Sequence, residues 1–209
     1  NGLTQIHQNN MGTKVGPNII TDGLVLSLDA ASARSYPGSG STWSDLSGNN
    51  FDFTIEASGF TYNAGGWFDM ANGGITNSDN ITDVTTCTFV FWIRTTDDQA
   101  LFWTKDNSQN YLGAYSSSNR FYNSQYGTPT FHMNTVQRGN IYDFIRTGEW
   151  MMLEFKNVNM SQTNINKFGT YGSFEFANGD IAVIQLYTKN LTQAESDQNF
   201  NALRSRFDI

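Results

Sequence analysis

Cysteine, proline, histidine and basic residues are all scarce in this chain of 209 residues, and each shortage removes a class of explanation. The one cysteine, Cys87, cannot form an internal disulfide, and its place in the apolar run TTCTFVFWI predicts a buried thiol rather than a reactive one. Lys and Arg number 12 against 19 Asp and Glu, giving a net charge of -7 and a pI near 4.6. Nucleic-acid binding rests on basic side chains neutralising phosphates, so neither nucleic acid nor an anionic membrane is an expected partner. No apolar run reaches the roughly 18 residues a membrane-crossing helix needs, and the N-terminus lacks the charged start and apolar stretch of a signal peptide. The chain is therefore expected to be soluble and unanchored. Its first residue, Asn rather than Met, suits a processed product or a fragment.

Catalytic patterns are absent too. His7 and His132 stand far apart, and the chain holds no Gly-x-Ser-x-Gly elbow, Cys/His metal cluster or EF-hand loop. The glutamates are Glu56, Glu149, Glu154, Glu175 and Glu195. None makes the Glu-x-Asp-x-x-Glu spacing that sets two carboxylates on one strand face for a retaining glycosidase. Glu149 and Glu154, an odd number of residues apart, would face opposite sides of one strand. Enzymatic activity is not expected.

What the sequence does contain is strand formers broken by turn formers, with 14% aromatics, 19 glycines and only 15% charged residues. That balance predicts an antiparallel β protein. LVLSLDA (24–30) reads as a strand covered on both faces, and FDFTIE (51–56) alternates strictly, with Phe51, Phe53 and Ile55 on one side. CTFVFWIRT (87–95) puts Cys87, Phe89, Phe91 and Ile93 on one face and Val90 with Trp92 on the other, so it should be central. Further strands are expected at 66–70, 100–105, 110–115, 119–123, 130–133, 150–156 and 179–188, each bounded by turn residues. Many short strands mean a sandwich or barrel. Near the end, Thr192 and Glu195 have the spacing of a capping box, with Leu191 before them and Phe200, Leu203 and Phe207 following at helical steps. Arg204 and Arg206 are expected in the last helical turn. Residues 1–20 are polar and aperiodic and read as an extended arm, leaving 21–209 as one domain.

The segment YPGSGSTWSDLSGNN (36–50) reads as geometry rather than chemistry. Pro37-Gly38 suits a type II turn, Trp43 and Leu46 should plug one end of a sandwich, and Asp45 should bond neighbouring backbone.

With DGLVLSLDAASARSYPGSGSTWSDLSGNN (22–50), GGWFDM (65–70), CTFVFWIRT (87–95), GEWMMLEF (148–155) and GDIAVIQLYTKNLTQAESDQNFNAL (179–203) in this order, the chain resembles the laminin-G-like, concanavalin A-like jelly-roll domains found in tailed-phage structural proteins. The likeness covers roughly 22–207. It departs where Asn50 runs directly into Phe51 and where TKN (188–190) replaces a common Arg-Ala pair. It implies an all-β, two-sheet antiparallel jelly-roll sandwich with a short C-terminal helix. It also implies a non-enzymatic virion protein, a capsid or tail appendage or fibre on the outside of the particle, adhering to surface glycans. The arm would contact other virion proteins, in a homo-oligomer. A purely architectural decoration module that binds only protein, or a glycan-active enzyme, would share the fold.

Sugar binding needs aromatic faces beside amide or charged groups. The segment 102–127 holds the densest such mixture, in Trp103, Tyr111, Tyr115, Arg120, Tyr122 and Tyr126, interleaved with Asn107, Asn110, Asn119, Asn123 and Gln125. The same tyrosines would equally serve as ordinary strand residues. The resemblance further allows calcium as a cofactor, with Asp79, Asp83, Asp97 and Asp98 as candidate ligands, although the same aspartates would equally be solvated turn residues.

Overall fold

A computed structural model describes residues 17–56, 59–70, 73–81, 84–96, 100–104, 111–114, 127–139, 147–161, 165–168, 170–171, 174–175 and 179–209. In chain order the strands are β1 (Leu24–Asp29), β2 (Thr42–Trp43), β3 (Phe53–Ile55), β4 (Phe60–Asn63), β5 (Trp67–Met70), β6 (Ile75–Ile81), β7 (Cys87–Thr95), β8 (Ala100–Thr104), β9 (Tyr111–Ala114), β10 (Thr130–Met133), β11 (Val136–Arg138), β12 (Met151–Val158), β13 (Ile165–Phe168), β14 (Thr170–Tyr171), β15 (Phe174–Glu175) and β16 (Gly179–Tyr187). Helix α1 spans Gln193–Leu203.

An eight-stranded antiparallel sheet runs β11-β10-β12-β7-β16-β5-β4, with β1 also paired to β16. A four-stranded sheet, β13-β6-β3-β2, packs against it. The expected two-sheet sandwich with a short C-terminal helix is what forms, and β7 lies centrally between β12 and β16.

Side-chain alternation explains the layers. Cys87, Phe89, Phe91 and Ile93 of β7 join Leu153, Phe155, Ile184 and Leu186 in the inner core, meeting Trp43, Phe53, Ile75, Ile165 and Phe168 from the smaller sheet. Phe53 and Ile55 are buried while Thr54 is exposed, as the alternation of 51–56 requires. The register of β16 shifts between Ile181 and Val183, a bulge that lets Ile181 and Ile184 both reach this core.

The large sheet is apolar on its outer face as well. Val90, Trp92, Met152, Val183 and Tyr187 are buried there beneath Leu191, Phe200, Leu203 and Phe207. Trp92 stacks on Phe207 with centroids 4.6 Å apart and on Phe200 at 5.9 Å. Val90 and Trp92 are thus fully enclosed, because α1 lies over them.

The capping box forms: the Thr192 hydroxyl accepts from the Glu195 amide, and the Glu195 carboxylate accepts from the Thr192 amide at 2.8 Å. The helix ends one residue before Arg204, and both arginines sit in a 3-10 turn, Arg204–Arg206, not in the last α-helical turn as expected. Arg206 bonds instead to Asp29 at 2.6 Å and to the Gly66 carbonyl, a tertiary clamp that outweighs a dipole contact. Residues 1–16 of the arm lie outside the described residues. Its last part docks on the domain: the Ile20 amide donates to Asn199 Oδ1 at 2.8 Å, Tyr187 donates to the Ile20 carbonyl at 3.1 Å, and Gln198 donates to the Asn18 carbonyl at 2.8 Å.

In 36–50, Gly38 takes a φ of 93° and Trp43 is fully buried. Leu46 is only half-buried; it contributes its backbone amide, which donates to the Ser27 carbonyl at 2.8 Å. The shorter or more polar strands β2, β4, β6, β11, β13, β14 and β15 are additions to the sequence reading, while the strand expected at 119–123 lies outside the described residues.

Candidate functional site

Register builds one polar row across the outer face of the large sheet. Asp69 on β5 pairs with Asp180 on β16, and Asp180 pairs with Arg94 on β7. Arg94 donates from Nε at 2.8 Å and from Nη2 at 2.5 Å, both to Oδ2 of Asp180. Asp180 Oδ1 takes no part in that fork. Burial raises the Asp180 pKa and the charge of Asp69 raises it further, while the Arg94 hydrogen bonds pull it back down.

Two tryptophans frame the row. The Arg94 guanidinium lies 5.5 Å from the Trp67 ring centroid and 5.1 Å from that of Trp150, and the two rings meet edge to face at 5.7 Å. Both indoles are half-buried, since each packs at the margin of the apolar cluster under α1. Trp150 is braced by Phe207 at 4.7 Å. Trp67 is seated by Gly65, where an added Cβ would fall 2.0 Å from Cζ3 of the indole. The Arg94 side chain is 36% exposed and Asp69 is exposed. The result is a braced aromatic frame presenting hydrogen-bond donors and acceptors to solvent.

Sequence reasoning missed this cluster although its signals were there. Arg94 is the one charged residue in CTFVFWIRT, and in β5 the buried Phe68 and Met70 leave Trp67 and Asp69 to the other face. What the sequence could not supply is the register that aligns β5, β16 and β7.

Of the residues expected to bind sugar, Trp103 and Tyr111 fall on the β8–β9 hairpin, where Trp103 pairs with Leu112 and Tyr111 with Thr104. They are not register partners of each other. The hairpin is a two-stranded sheet of its own, with β8 lying beside β13 of the smaller sheet. Tyr115, Arg120, Tyr122 and Tyr126 lie outside the described residues, as do the calcium candidates Asp83, Asp97 and Asp98. Asp79 is exposed, its amide held by Asn77 Oδ1 and its carboxylate accepting from the Ser78 hydroxyl at 3.4 Å. Among the described residues, no group of three or more His, Cys, Asp or Glu is placed to hold a metal ion.

A second polar cluster is sealed between the sheet and α1. Glu154 is fully buried and its register partner is His132. Lys156 Nζ lies 3.8 Å from Glu154 and donates to the Leu191 carbonyl at 3.2 Å and to Ser196 Oγ at 2.6 Å. Burial raises the Glu154 pKa against the opposing pull of Lys156, and burial together with Lys156 lowers that of His132. With Glu154 and Ser196 both 0% exposed, the cluster is closed to any substrate.

No family model matches this chain, and no curated protein matches its sequence. Solved structures do match. Trypanosoma rangeli sialidase, as the covalent intermediate with 2,3-difluorosialic acid, aligns with a TM-score of 0.54 at 11% identity, over 91% of this chain and 35% of that one. The receptor binding domain of botulinum neurotoxin C/D mosaic serotype aligns with a TM-score of 0.54 at 14% identity, over 87% of this chain and 51% of that one. The fold is a β-sandwich shared with both. At such identities the likeness is one of architecture, and the chain spans about a third of the sialidase and half of the toxin domain.

Proposed function

We propose that this chain is a non-enzymatic adhesion module, a jelly-roll domain on the outside of a phage virion that attaches to surface glycans. The observation that carries the adhesion reading is the half-buried Arg94–Asp180 fork framed by Trp67 and Trp150, with the exposed Asp69 beside it. Aromatic walls around planar donors and acceptors are what a sugar, with its apolar faces and ring of hydroxyls, requires. The virion placement is supported by the motifs at 22–50 and 179–203 that resemble tailed-phage structural proteins. Contact with other virion proteins is assigned to the arm, residues 1–20, and a homo-oligomer follows from the same reading.

The fold itself serves a sialidase and a toxin receptor-binding domain alike, so it favours neither enzyme nor adhesin. Against catalysis stand the enclosure of Glu154 beneath α1 and the double engagement of Asp180 by Arg94.

Glycan-array binding by the purified chain, with and without calcium, tests the reading. Binding that Trp67→Ala and Trp150→Ala abolish, with the fold retained by circular dichroism, is the expected result. Absence of binding together with a tight contact to a capsid or tail protein would instead make the chain an architectural module. Depolymerisation of a polysaccharide that stops with Asp180→Asn or Glu154→Gln would make it an enzyme.

A further inference from the structure

Resting on the adhesion reading, we propose that the Trp67–Arg94–Trp150 site takes a neutral, hydroxyl-rich sugar and rejects carboxylated, sulfated or phosphorylated ones. Charge decides this. The one cation in the row, Arg94, already spends two donors on Asp180 Oδ2. Asp69 adds an exposed carboxylate on the neighbouring strand, and the exposed Glu149 precedes Trp150. Arg206, which bonds the Gly66 carbonyl at the rim, is likewise paired, to Asp29 at 2.6 Å. An anionic sugar would meet a guanidinium whose charge Asp180 already balances and would lie beside the Asp69 and Glu149 carboxylates, on a chain whose net charge is already -7.

A neutral diol meets no such penalty. Its hydroxyls donate to the exposed Asp69 carboxylate in charge-assisted bonds that a carboxylate accepts readily. The outer edge of the guanidinium offers donors in return, and the indoles exclude water at the sides of the bound ring. The Arg94–Asp180 fork needs no rearrangement, so the site is preorganised for this ligand class.

The sign of one substitution separates the two classes. Asp69→Asn, at an exposed position, keeps the shape and removes the charge. For a neutral glycan immobilised on a sensor surface it should weaken binding by roughly tenfold, with wild-type affinity nearly unchanged between low and high salt. Should the bound glycans be acidic, with Asp69→Asn tightening them and salt releasing them, the neutral-sugar inference falls and the adhesion reading stands. Should glycans bind while Trp67→Ala, Trp150→Ala and Asp69→Asn leave affinity unchanged, this site is not the one used and the inference falls with it. Should no glycan bind at all, the adhesion reading itself fails. Unchanged thermal unfolding of Asp69→Asn guards against loss of fold.

Discussion

Lys156 on β12 donates to Ser196 Oγ on α1 at 2.6 Å, so a buried strand lysine fixes the start of the helix that covers the outer face of the large sheet. The same ammonium also satisfies the Leu191 carbonyl and lies 3.8 Å from Glu154. Lys156→Met would leave a carbonyl, a hydroxyl and a carboxyl without this partner in an enclosed space. Breaking a buried ionic cluster from one side costs about 3–5 kcal/mol. A loss of that size in urea unfolding is expected, with altered fluorescence from Trp92 as the helix loosens.

Glu154 gives the protein a pH dependence of definite sign. Burial raises its folded-state pKa above the ordinary glutamate value, so its contribution to stability is fully present below the unfolded-state pKa and is lost as pH rises through the raised folded-state value. Glu154→Gln removes that titration while keeping the shape. Denaturant midpoints measured from pH 4 to 8 should fall with rising pH in the wild type relative to the variant. Parallel curves for the two proteins would show that Glu154 stays ionised in the fold.

Asp45 is the anchor of the 36–50 segment. Its Oδ1 accepts from the amides of Ser27 and Ser47, both at 2.9 Å, and its Oδ2 from the Ser47 hydroxyl at 2.6 Å and the Phe51 amide at 3.2 Å. Asp45→Ala leaves these donors unpaired at a partly buried corner, for an expected loss of about 2–4 kcal/mol in chemical unfolding. Asp45→Asn, which retains one acceptor oxygen, should lose clearly less.

Cys87 should resist thiol reagents until the protein unfolds. It is fully buried, its thiol donates to the Val158 carbonyl at 3.4 Å, and burial pushes its pKa far up, so thiolate is scarce at neutral pH. Labelling by a thiol-specific reagent should track global unfolding in urea. Rapid labelling of the native protein would contradict the burial.

The sequence made the sandwich, the central place of β7 and the capping box at Thr192 legible, because alternation and capping are local patterns that one strand or one helix start expresses completely. The short or polar strands were not legible: β6, ITNSDNI, holds few apolar residues, and it is a strand because β3 and β13 pair with it. The Arg94 row was hidden for a related reason. Its members come from β5, β7, β16 and the approach to β12, and only strand order brings Trp67, Asp69, Arg94, Trp150 and Asp180 together. Counting aromatics along the chain favoured 102–127, where density in sequence is high, over a site assembled from single residues of distant segments.

The ends of β16 carry different duties, with Asp180 at one and Tyr187, which holds Ile20 of the arm, at the other. Seven residues of extended strand put them about 20 Å apart. A tensile load between the arm and a ligand held at Asp180 would run lengthwise along β16. Its ladders to β1 and β7 would then be sheared together rather than peeled apart one bond at a time. Under such a load β16 would carry the force through both ladders at once.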